Sequence, residues 1–357
     1  MLKRTNVRGC LIGQCVGDAV GMPVERHALK ACQAYAEQLS AGKVGHIEHE
    51  LWPFGQYTDD SQLMREMLLS FVACEEFDPQ DFADRFLRIH QQNGIVGASR
   101  ASHKVAARLA AGIPWRAAGT PAPYARNGSA MRAAPIGLFF CDAADRLLQA
   151  ACDQAKITHL DLRSQAGAVA IAGAVALSVQ VNIIYPPQFL EQLSGWVRAV
   201  DAGIANHLEQ LADWIELPVD AALAAIAPLG DPPESLKGWE GISPWIVPSV
   251  MWSLYSFLKS PNDYWQTICT AIAGDGDTDT TAAMAGAISG TFLGIEAVPK
   301  SVSHFLTDQG KWGYQPLLAL ADLAFHLTRV RQVREEEGLA SRWAAASERL
   351  SAKLKEN

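Results

Sequence analysis

Apolar side chains recur every three or four positions along most of the chain. Between positions 58 and 74, for example, Leu63, Met67, Leu68 and Phe71 form one stripe, and this spacing places side chains on one face of a helix. The alternating patterns typical of strands are nearly absent. The sequence therefore predicts an all-α fold, a single compact orthogonal bundle of about a dozen or more helices.

The same pattern predicts where some helices begin and end. Residues 187–215 are predicted to form one long helix, and residues 314–335 and 339–355 to form two separate helices. The charged, amphipathic segment 336–357 is expected to pack as a peripheral C-terminal helix on one domain that spans residues 1–357. No repeat with a period of about 20 to 50 residues is visible, so a solenoid is not expected.

Two helical segments carry small residues at a spacing of four. The first set is Gly9, Gly13, Gly17 and Gly21, and the second is Ala282, Gly286, Gly290 and Gly294. A glycine inside a helix costs about 1 kcal/mol relative to alanine, so close packing has to compensate for it. Both helices are therefore expected at the centre of the bundle, packed against their neighbours or against each other. A loop around Gly17 and Gly21 is the alternative.

Composition narrows the class of protein. The chain has 357 residues, of which 49% are hydrophobic and 19% are charged, and such a chain can bury a core and is not generally disordered. A net charge of -8 without a basic stripe argues against a nucleic-acid backbone as the main partner, although a local groove can still bind phosphate. Seven cysteines without a C-x-x-C pair indicate reduced thiols and a cytoplasmic protein. We also expect a monomer.

One segment approaches the length and polarity of a membrane span. Residues 166–184 are nearly all apolar, but Ser178, Gln180 and Asn182, with many alanines and glycines, favour a buried helix. The first residues resemble a signal peptide only superficially, because Gln14 and Asp18 interrupt the apolar stretch. We therefore expect no membrane partner.

Two short segments rich in carboxylates and hydroxyls stand directly before helical patterns. Residues 274–281 have the sequence GDGDTDTT, and residues 57–61 have the sequence YTDDS. Each alone is typical of an ordinary helix start, where threonine caps the first turn and acids favour the helix dipole. If the two starts meet, their carboxylates converge and two divalent cations would neutralise them. All the donors are oxygens, which favours Mg2+ or Mn2+ over zinc.

A polar loop with the sequence NGSAMR, residues 127–132, precedes another helical pattern. Backbone N–H groups at such a helix start can bind a diphosphate, but the same turn is also common without a ligand. Arg132 is expected either to contact an anionic ligand or to hold the loop by pairing with a core carboxylate. Tyr124, just before the loop, is a candidate to stack on a flat aromatic ring of a ligand, and an ordinary loop residue is the alternative.

Other patterns of chemistry are weaker or missing. His46 and His49, with Glu48 between them, lack the partner cysteine or the second helix-spaced pair of a metal site, and we predict a solvated loop there. The sequence contains no G-x-S-x-G segment, which argues against a serine hydrolase of that type.

Four segments, in this order, resemble the blocks of the ADP-ribosylglycohydrolase family. They are residues 13–25 (GQCVGDAVGMPVE), residues 57–61, residues 127–132 and residues 276–280 (GDTDT). The family includes the dinitrogenase reductase-activating glycohydrolase and the hydrolases of ADP-ribosylarginine and ADP-ribosylserine. Each block alone is weak or moderate evidence, but the four together span nearly the whole chain and imply the all-α fold of that family.

The resemblance also implies a site. It implies a binuclear Mg2+ or Mn2+ centre held by Thr58, Asp59, Asp60, Asp277, Asp279 and Thr280. It places Glu25 beside the metals on a mobile loop that closes over the distal ribose, where without the family Glu25 would be a surface acid. The substrate-binding residues that it implies for ADP-ribose are Asn127, Gly128, Ser129, Met131, Arg132, His159 and Gly276. For His159, a capping or packing role is the alternative.

One position departs from the family pattern. Where the family commonly has two glycines before the first metal aspartate, this chain has Asp275 and Gly276. The additional carboxylate is expected either to join the metal shell or to point outward and cap the helix.

The reaction that the resemblance implies is hydrolysis at C1 of the distal ribose of ADP-ribose, with an ADP-ribosylated protein as substrate and arginine as the favoured acceptor. Asp60, Glu25 and Asp59 are the expected catalytic residues, and either Asp60 or Glu25 takes the proton. Serine, a nucleic-acid base or a small ADP-ribose derivative are other acceptors. A non-catalytic, crystallin-like binder and an immunity protein that reverses or blocks an ADP-ribosylating toxin are the alternative functions.

Overall fold

Helices supply all the regular secondary structure in residues 2–43, 52–92, 94–236 and 238–355, which are the residues described by the structure, a computed structural model. Side chains are described as far as residue 338. The all-α prediction is confirmed within these ranges. The predicted loop around His46 and His49 lies outside the described residues.

The α-helices follow one another with short connections. In chain order they are α1 Arg4–Gly21, α2 Leu29–Ser40, α3 Asp59–Cys74, α4 Pro79–Gln91, α5 Arg100–Ala110, α6 Trp115–Ala118, α7 Ala134–Phe139, α8 Ala144–Lys156, α9 Leu162–Gln180, α10 Pro186–Arg198, α11 Ala202–Trp214, α12 Val219–Ile226, α13 Ile246–Lys259, α14 Tyr264–Ala273, α15 Thr278–Leu293, α16 Lys300–Ser303 and α17 Tyr314–Lys355. Short 3-10 turns precede or connect several of them, and those at Met22–Val24 and Asn127–Ser129 help to build the site.

The two helices with small residues at a spacing of four, α1 and α15, pack directly on each other at the centre of the molecule. A Cβ atom at Gly9 would lie 2.0 Å from the carbonyl oxygen of Gly290, and one at Gly17 would lie 2.1 Å from that of Ala282. The backbones therefore touch, and there is no room for any side chain. The prediction of close central packing is confirmed, and the alternative of a loop at Gly17 and Gly21 is wrong because α1 runs through Gly21.

Helix α9 is long and apolar enough to cross a membrane by length and composition alone. In the structure, however, 89% of that apolar window is buried inside the protein, where α9 packs against α7, α8, α10, α13 and α15. The prediction of a buried helix in this segment is therefore confirmed.

Two predicted boundaries differ from the structure. The single helix expected at residues 187–215 is two helices, because the Asp201 carboxylate accepts a hydrogen bond from the Ile204 amide at 2.9 Å and caps a new helix, α11. The two helices expected at residues 314–335 and 339–355 are one continuous helix, α17. The assignment of the whole chain to one domain stays a prediction.

The antiparallel pairing of α1 with α15 determines where the site forms. Gly9 faces Gly290 at one end of the pair, and Gly21 faces Thr278 at the other. The C-terminal end of α1 therefore lies beside the first turn of α15, and Glu25 follows α1 by only one 3-10 turn. Polar residues from both ends of the chain converge there.

Candidate functional site

The two acidic helix starts meet. Thr58 caps α3 by accepting a hydrogen bond from the Asp60 amide, and Asp277 stands at the cap position of α15. The hydroxyl oxygen of Thr280 lies 3.4 Å from an Asp60 carboxylate oxygen and 3.4 Å from an Asp277 carboxylate oxygen. Residues that are 220 positions apart in sequence thus share one hydrogen-bond network.

The carboxylates form two groups that share one member. Oxygens of Asp18, Asp60 and Asp279 lie within 4.8 Å of one another, and so do oxygens of Glu25, Asp277 and Asp279. All are buried except Glu25, which is half-buried at the edge of a cleft. Carboxylates this close repel one another strongly in the absence of a shared proton or a cation.

Burial and mutual repulsion raise the pKa values of these acids. Burial, and after it the charge of Asp279, raises the pKa of Asp18 and of Asp277 to about 7. The charge of Asp279, and after it burial, raises the pKa of Glu25 to about 9. Burial first, and then the charge of Asp279, also raises the pKa of Asp60 well above its usual range. The protein thus concentrates negative charge at a point that a cation would stabilise.

The donor set fits hard divalent cations. The Oδ1 atom of Asp60 is buried and has no hydrogen-bond partner among the residues that the structure describes, which is unusual for a buried carboxylate oxygen. The surrounding side chains offer carboxylate and hydroxyl oxygens only, the ligands that Mg2+, Mn2+ and Ca2+ prefer. These residues therefore suit a metal of that class.

Asp18 belongs to this site, although the sequence analysis did not select it as a ligand. It lies on α1, is fully buried, and accepts hydrogen bonds from the backbone amides of Thr58 and Ser61, both at 3.0 Å. It also accepts from the Thr58 hydroxyl at 2.9 Å. Asp18 thereby holds the start of α3 against α1. The available signal was a lone acid inside an otherwise apolar and glycine-rich helix, because a buried carboxylate needs partners.

Glu25 is carried by a short segment that is anchored on both sides. The next residue, Arg26, has a left-handed backbone (φ 61°), and its amide donates to the carbonyl oxygen of Gly276 at 2.8 Å. The Arg26 guanidinium lies 4.6 Å from the centre of the Trp239 ring. These contacts connect the Glu25 segment to the turn that precedes α15.

The turn before α15 has a strained backbone. Gly276 has a φ of 72°, and a Cβ atom there would lie 2.1 Å from the Ile242 carbonyl oxygen, so only glycine fits. Asp275, also left-handed (φ 62°), accepts hydrogen bonds from the Cys32 thiol at 3.3 Å and the Gly276 amide at 2.6 Å. Asp275 therefore faces Cys32, and it neither joins the two acidic groups nor caps α15, so neither expectation for it is met.

A cleft of about 280 Å³ extends from the carboxylates to the loop at residues 127–132. The predicted residues that line it are Glu25, Asp59, Asp60, Tyr124, Asn127, Gly128, Met131, Arg132, His159, Asp277, Asp279 and Thr280. Three other predicted residues, Thr58, Ser129 and Gly276, do not line the cleft but lie next to it. Ser129 is buried and donates its hydroxyl to the Ser164 carbonyl at 2.9 Å, Thr58 bonds to its acidic neighbours, and Gly276 lines an adjacent cavity with Arg26 and Trp239.

The loop at residues 127–132 is tied to the acidic site through a side chain. Asn127 donates from Nδ2 to the Asp277 carboxylate at 2.5 Å and to the Ser249 hydroxyl at 2.8 Å. Residues Asn127–Ser129 form a 3-10 turn, and α7 begins only at Ala134. The first amides of a helical turn have no partner within it. Those of Gly128 and Ser129 hold that position, and of these two residues Gly128 lines the cleft.

Arg132 is directed into the protein interior. It donates to the Gln154 side-chain oxygen at 2.9 Å, to the Gln154 carbonyl at 3.0 Å and to the Thr158 hydroxyl at 2.7 Å. Its guanidinium lies 5.4 Å from the centre of the Phe82 ring, and burial lowers its pKa to about 9. The expected pairing with a core carboxylate is wrong, because the partners of Arg132 are neutral oxygens.

His159 and Tyr124 also line the cleft. Their rings are stacked, with centres 5.6 Å apart and an angle of 24° between the planes. Burial, with a contribution from the charge of Arg132, lowers the pKa of His159 to about 3. The imidazole is therefore neutral at pH 7, and it faces the cleft beside Gly128.

The fold and the site together define an all-α protein with a cleft between two helix starts, acidic at one end and polar at the other. Over residues 2–336 the chain matches the model of one family, described as ADP-ribosylglycohydrolase. The chain belongs to the ADP-ribosylglycohydrolase family.

Individual relatives agree with this assignment. A protein of Mus musculus named ADP-ribosylhydrolase ARH3 is 30% identical over 320 residues, covering 82% of this chain and 85% of its own. An uncharacterized protein of Archaeoglobus fulgidus is 29% identical over 286 residues, covering 79% of this chain and 86% of its own. A solved structure described as an ADP-ribosylglycohydrolase-related protein complex has a TM-score of 0.66 at 22% identity, covering 91% of this chain and 99% of that one. The structural likeness confirms the fold.

Proposed function

We propose that the protein hydrolyses the bond between C1 of the distal ribose of ADP-ribose and an acceptor, releasing ADP-ribose. The observation that carries this proposal is the meeting of two acidic groups through Asp279 at one end of a cleft. The other end offers a neutral imidazole and backbone amides to an anionic ligand. A diphosphate joined to a ribose fits both ends, since the diphosphate would meet the imidazole and amides and the ribose would meet the acidic groups. The family membership of the chain supports the same substrate class.

The proposed cofactor is a pair of Mg2+ or Mn2+ ions. Their proposed ligands are Thr58, Asp59, Asp60, Asp277, Asp279 and Thr280, with Asp18 behind them. When bound, two such ions neutralise the carboxylates, orient the ribose hydroxyls and polarise water. Asn127 and Thr280 keep Asp277 in position through hydrogen bonds, so the carboxylates are held in place before any ion binds.

Glu25 is the proposed general base. It is half-buried, lines the cleft and belongs to the acidic group of Asp277 and Asp279. The charge of Asp279 is the main cause of its raised pKa, and bound cations would cancel that effect, so its ionised carboxylate would then accept a proton from water near the ribose. The water oxygen forms a bond to C1 as the bond from C1 to the acceptor breaks. Glu25 receives one proton of the water, and that proton then passes to the departing acceptor atom. Asp60, by contrast, is nearly enclosed and bonded to both threonines, which suits a ligand better than a base.

Positive charge develops at C1 as the acceptor leaves, and the fixed carboxylates around it stabilise that charge. At the other end of the cleft, the amides of Gly128 and Ser129 and the imidazole of His159 are the proposed contacts of the diphosphate. Tyr124 is the proposed stacking partner of adenine.

An arginine side chain is the acceptor that we propose first. The cavity that follows the Glu25 segment is lined by Trp239 and Glu240 together with Arg26 and His27, and an indole face and a carboxylate are groups that bind a guanidinium. The Trp239 ring holds the guanidinium of Arg26, which an acceptor arginine would have to displace. We also propose a cytoplasmic location, since all seven cysteines are free thiols, and a monomer.

The test is release of ADP-ribose from arginine-linked, serine-linked and base-linked substrates in the presence of Mg2+ or Mn2+. We expect release from the arginine-linked substrate, with loss of release after chelation and in an Asp60→Asn variant. Faster release of ADP-ribose from the serine-linked or base-linked substrate would contradict arginine as the preferred acceptor. Release from none of them, with Mn2+ bound, would overturn the proposed hydrolysis and favour a binding protein.

A further inference from the structure

We infer that Arg132 and Thr158 are positioning residues that hold His159 in the neutral tautomer with its proton on Nε2. In this form Nε2–H donates into the cleft, toward the anionic part of the ligand. The inference rests on the proposed function only for the identity of that ligand, because the hydrogen-bond pattern belongs to the protein itself.

The hydrogen bond between Arg132 and Thr158 has only one possible direction. A guanidinium has only donors, and Nη2 of Arg132 lies 2.7 Å from the Thr158 hydroxyl oxygen. Thr158 is buried, with 4% of its surface exposed. Its oxygen is therefore an acceptor toward Arg132, and its single proton remains to be placed.

Nδ1 of His159 determines the destination of that proton. Nδ1 of His159 lies 2.8 Å from the Thr158 hydroxyl oxygen. If Nδ1 is unprotonated, Thr158 donates to it, and both groups are satisfied. If Nδ1 carries the proton instead, the Thr158 hydroxyl has no acceptor for its own proton among the described residues, which is unfavourable for a buried polar group. The first arrangement is favoured, and it leaves the imidazole proton on Nε2.

The surroundings of His159 also disfavour the doubly protonated ring. His159 is buried and lies near the charge of Arg132, and both effects lower its pKa. A cationic imidazole would also have to donate from Nδ1 to a hydroxyl that already accepts from a guanidinium. The neutral form, with one donor and one acceptor, fits the partners that are present.

Gln154 connects this pattern to the ligand-binding loop. Gln154 accepts from Nε of Arg132 and donates from its amide to the Ser129 carbonyl at 2.7 Å. A Cβ atom on Gly128 would lie 3.8 Å from Nε2 of His159, so this nitrogen stands beside the loop amides. No hydrogen-bond partner for Nε2 lies within the described part of the chain. A single chain of contacts thus orients the loop and the imidazole toward the same point.

The experiment is 15N NMR of the free protein with labelled histidines, the His159 signals being assigned with a His159→Gln variant. At pH 7 we expect an unprotonated Nδ1 and a protonated Nε2 in the wild type and in Thr158→Ser. Thr158→Val, which removes the hydroxyl at similar volume, should give a mixture of tautomers. A proton on Nδ1 in the wild type, or an unchanged tautomer in Thr158→Val, would overturn the inference.

Binding supplies the second readout. ADP-ribose should bind Thr158→Val about 10-fold more weakly than the wild type, as expected for one lost bond to a charged group, whereas Thr158→Ser should restore affinity. Adenosine, which lacks the diphosphate, should bind all three equally, and an equal loss for adenosine would contradict a role at the phosphates. If Thr158→Val does not fold, the wild-type and Thr158→Ser spectra still decide the tautomer. These spectra need no substrate, so they stand even if the proposed hydrolysis fails.

Discussion

Asp60 has surroundings that suit ion binding but are unfavourable for a buried carboxylate in the ion-free protein. One carboxylate oxygen contacts Thr58 and Thr280, and the other has no partner in the described chain. A buried acid with half of its acceptors unused is unfavourable unless something else occupies them. The sequence pattern made Asp60 a candidate, and its surroundings now give the physical reason.

Asp60→Asn should abolish measurable ADP-ribose release and weaken Mn2+ binding at least about 10-fold, because it removes one negative charge from the ligand set. Calorimetric titration with Mn2+ and a release assay are the measurements. Asp322→Asn is the matched control, since Asp322 pairs with Arg8 away from the cleft and should leave both results unchanged. Wild-type turnover in Asp60→Asn would show that hydrolysis does not depend on the Asp60 carboxylate.

Glu25→Gln should separate binding from chemistry. If Glu25 accepts the proton from water, the amide should lower kcat by about 100-fold or more and keep Mn2+ affinity within a few-fold of the wild type. Steady-state kinetics with a parallel Mn2+ titration test this. Glu209→Gln serves as the control, because Glu209 is exposed and pairs with Arg198 away from the cleft. An unchanged kcat in Glu25→Gln would show that a different group is the general base.

At the scale of single residues, local pattern predicted some members of the site and not others. Asp277 and Asp279 stand in a dense acidic turn, which any helix-start analysis selects. Asp18 is a single acid on a helix and shows its role only when the fold brings Thr58 to it. The partners of Arg132 could not be predicted either, because nothing in sequence shows which buried oxygens come within 3 Å of a guanidinium.

At the scale of elements, the contact between α1 and α15 is the feature that holds the site together. Small residues at a spacing of four predicted close packing, but not the partner, since a glycine stripe carries no information about what approaches it. The same limit explains the split at Asp201, where one cap ends a pattern that is apolar on both sides. Periodicity locates helices well and their interruptions poorly.

Gly17→Ala should destabilise the protein by about 2 kcal/mol or more, because its Cβ atom would overlap the Ala282 carbonyl oxygen at 2.1 Å. Gly195→Ala is the matched control, as Gly195 lies within α10 and a Cβ atom there meets nothing within 4 Å. That change should stabilise the helix by about 0.5–1 kcal/mol. Urea unfolding of the two variants measures both effects. Equal stability of the two would contradict backbone contact between α1 and α15.

At the scale of the whole molecule, the acidic site makes stability depend on pH. Raised pKa values mean that the folded state binds more protons than the unfolded state, whose aspartates titrate near about 4. For Asp18 and Asp277, with pKa values of about 7, the stabilising contribution is complete below about pH 4 and is lost as pH rises toward about 7.

The metal-free protein should therefore lose thermal stability between pH 5 and pH 8 relative to an Asp279→Asn variant, in which the charge that raises the neighbouring pKa values is absent. Added Mg2+ should raise the Tm of the wild type most at pH 8, because cations bind the ionised carboxylates. Calorimetry with and without chelator measures both. Parallel pH profiles for the two proteins would contradict this coupling.

The meeting of two helix starts, where Thr280 contacts Asp60 from 220 positions further along the chain, is the property of the whole molecule on which the proposed site depends. Periodicity could not place them together, whereas the resemblance of four ordered segments could, because a shared fold carries its contacts with it. The cations themselves stay a proposal.

Crystals grown with Mn2+, with diffraction recorded at the manganese absorption edge, test that proposal most directly. We predict two anomalous peaks between the start of α3 and the start of α15, within coordination distance of Asp60, Asp277 and Asp279. At saturating Mn2+, an absence of peaks between those three carboxylates, or peaks only elsewhere on the molecule, would contradict the account.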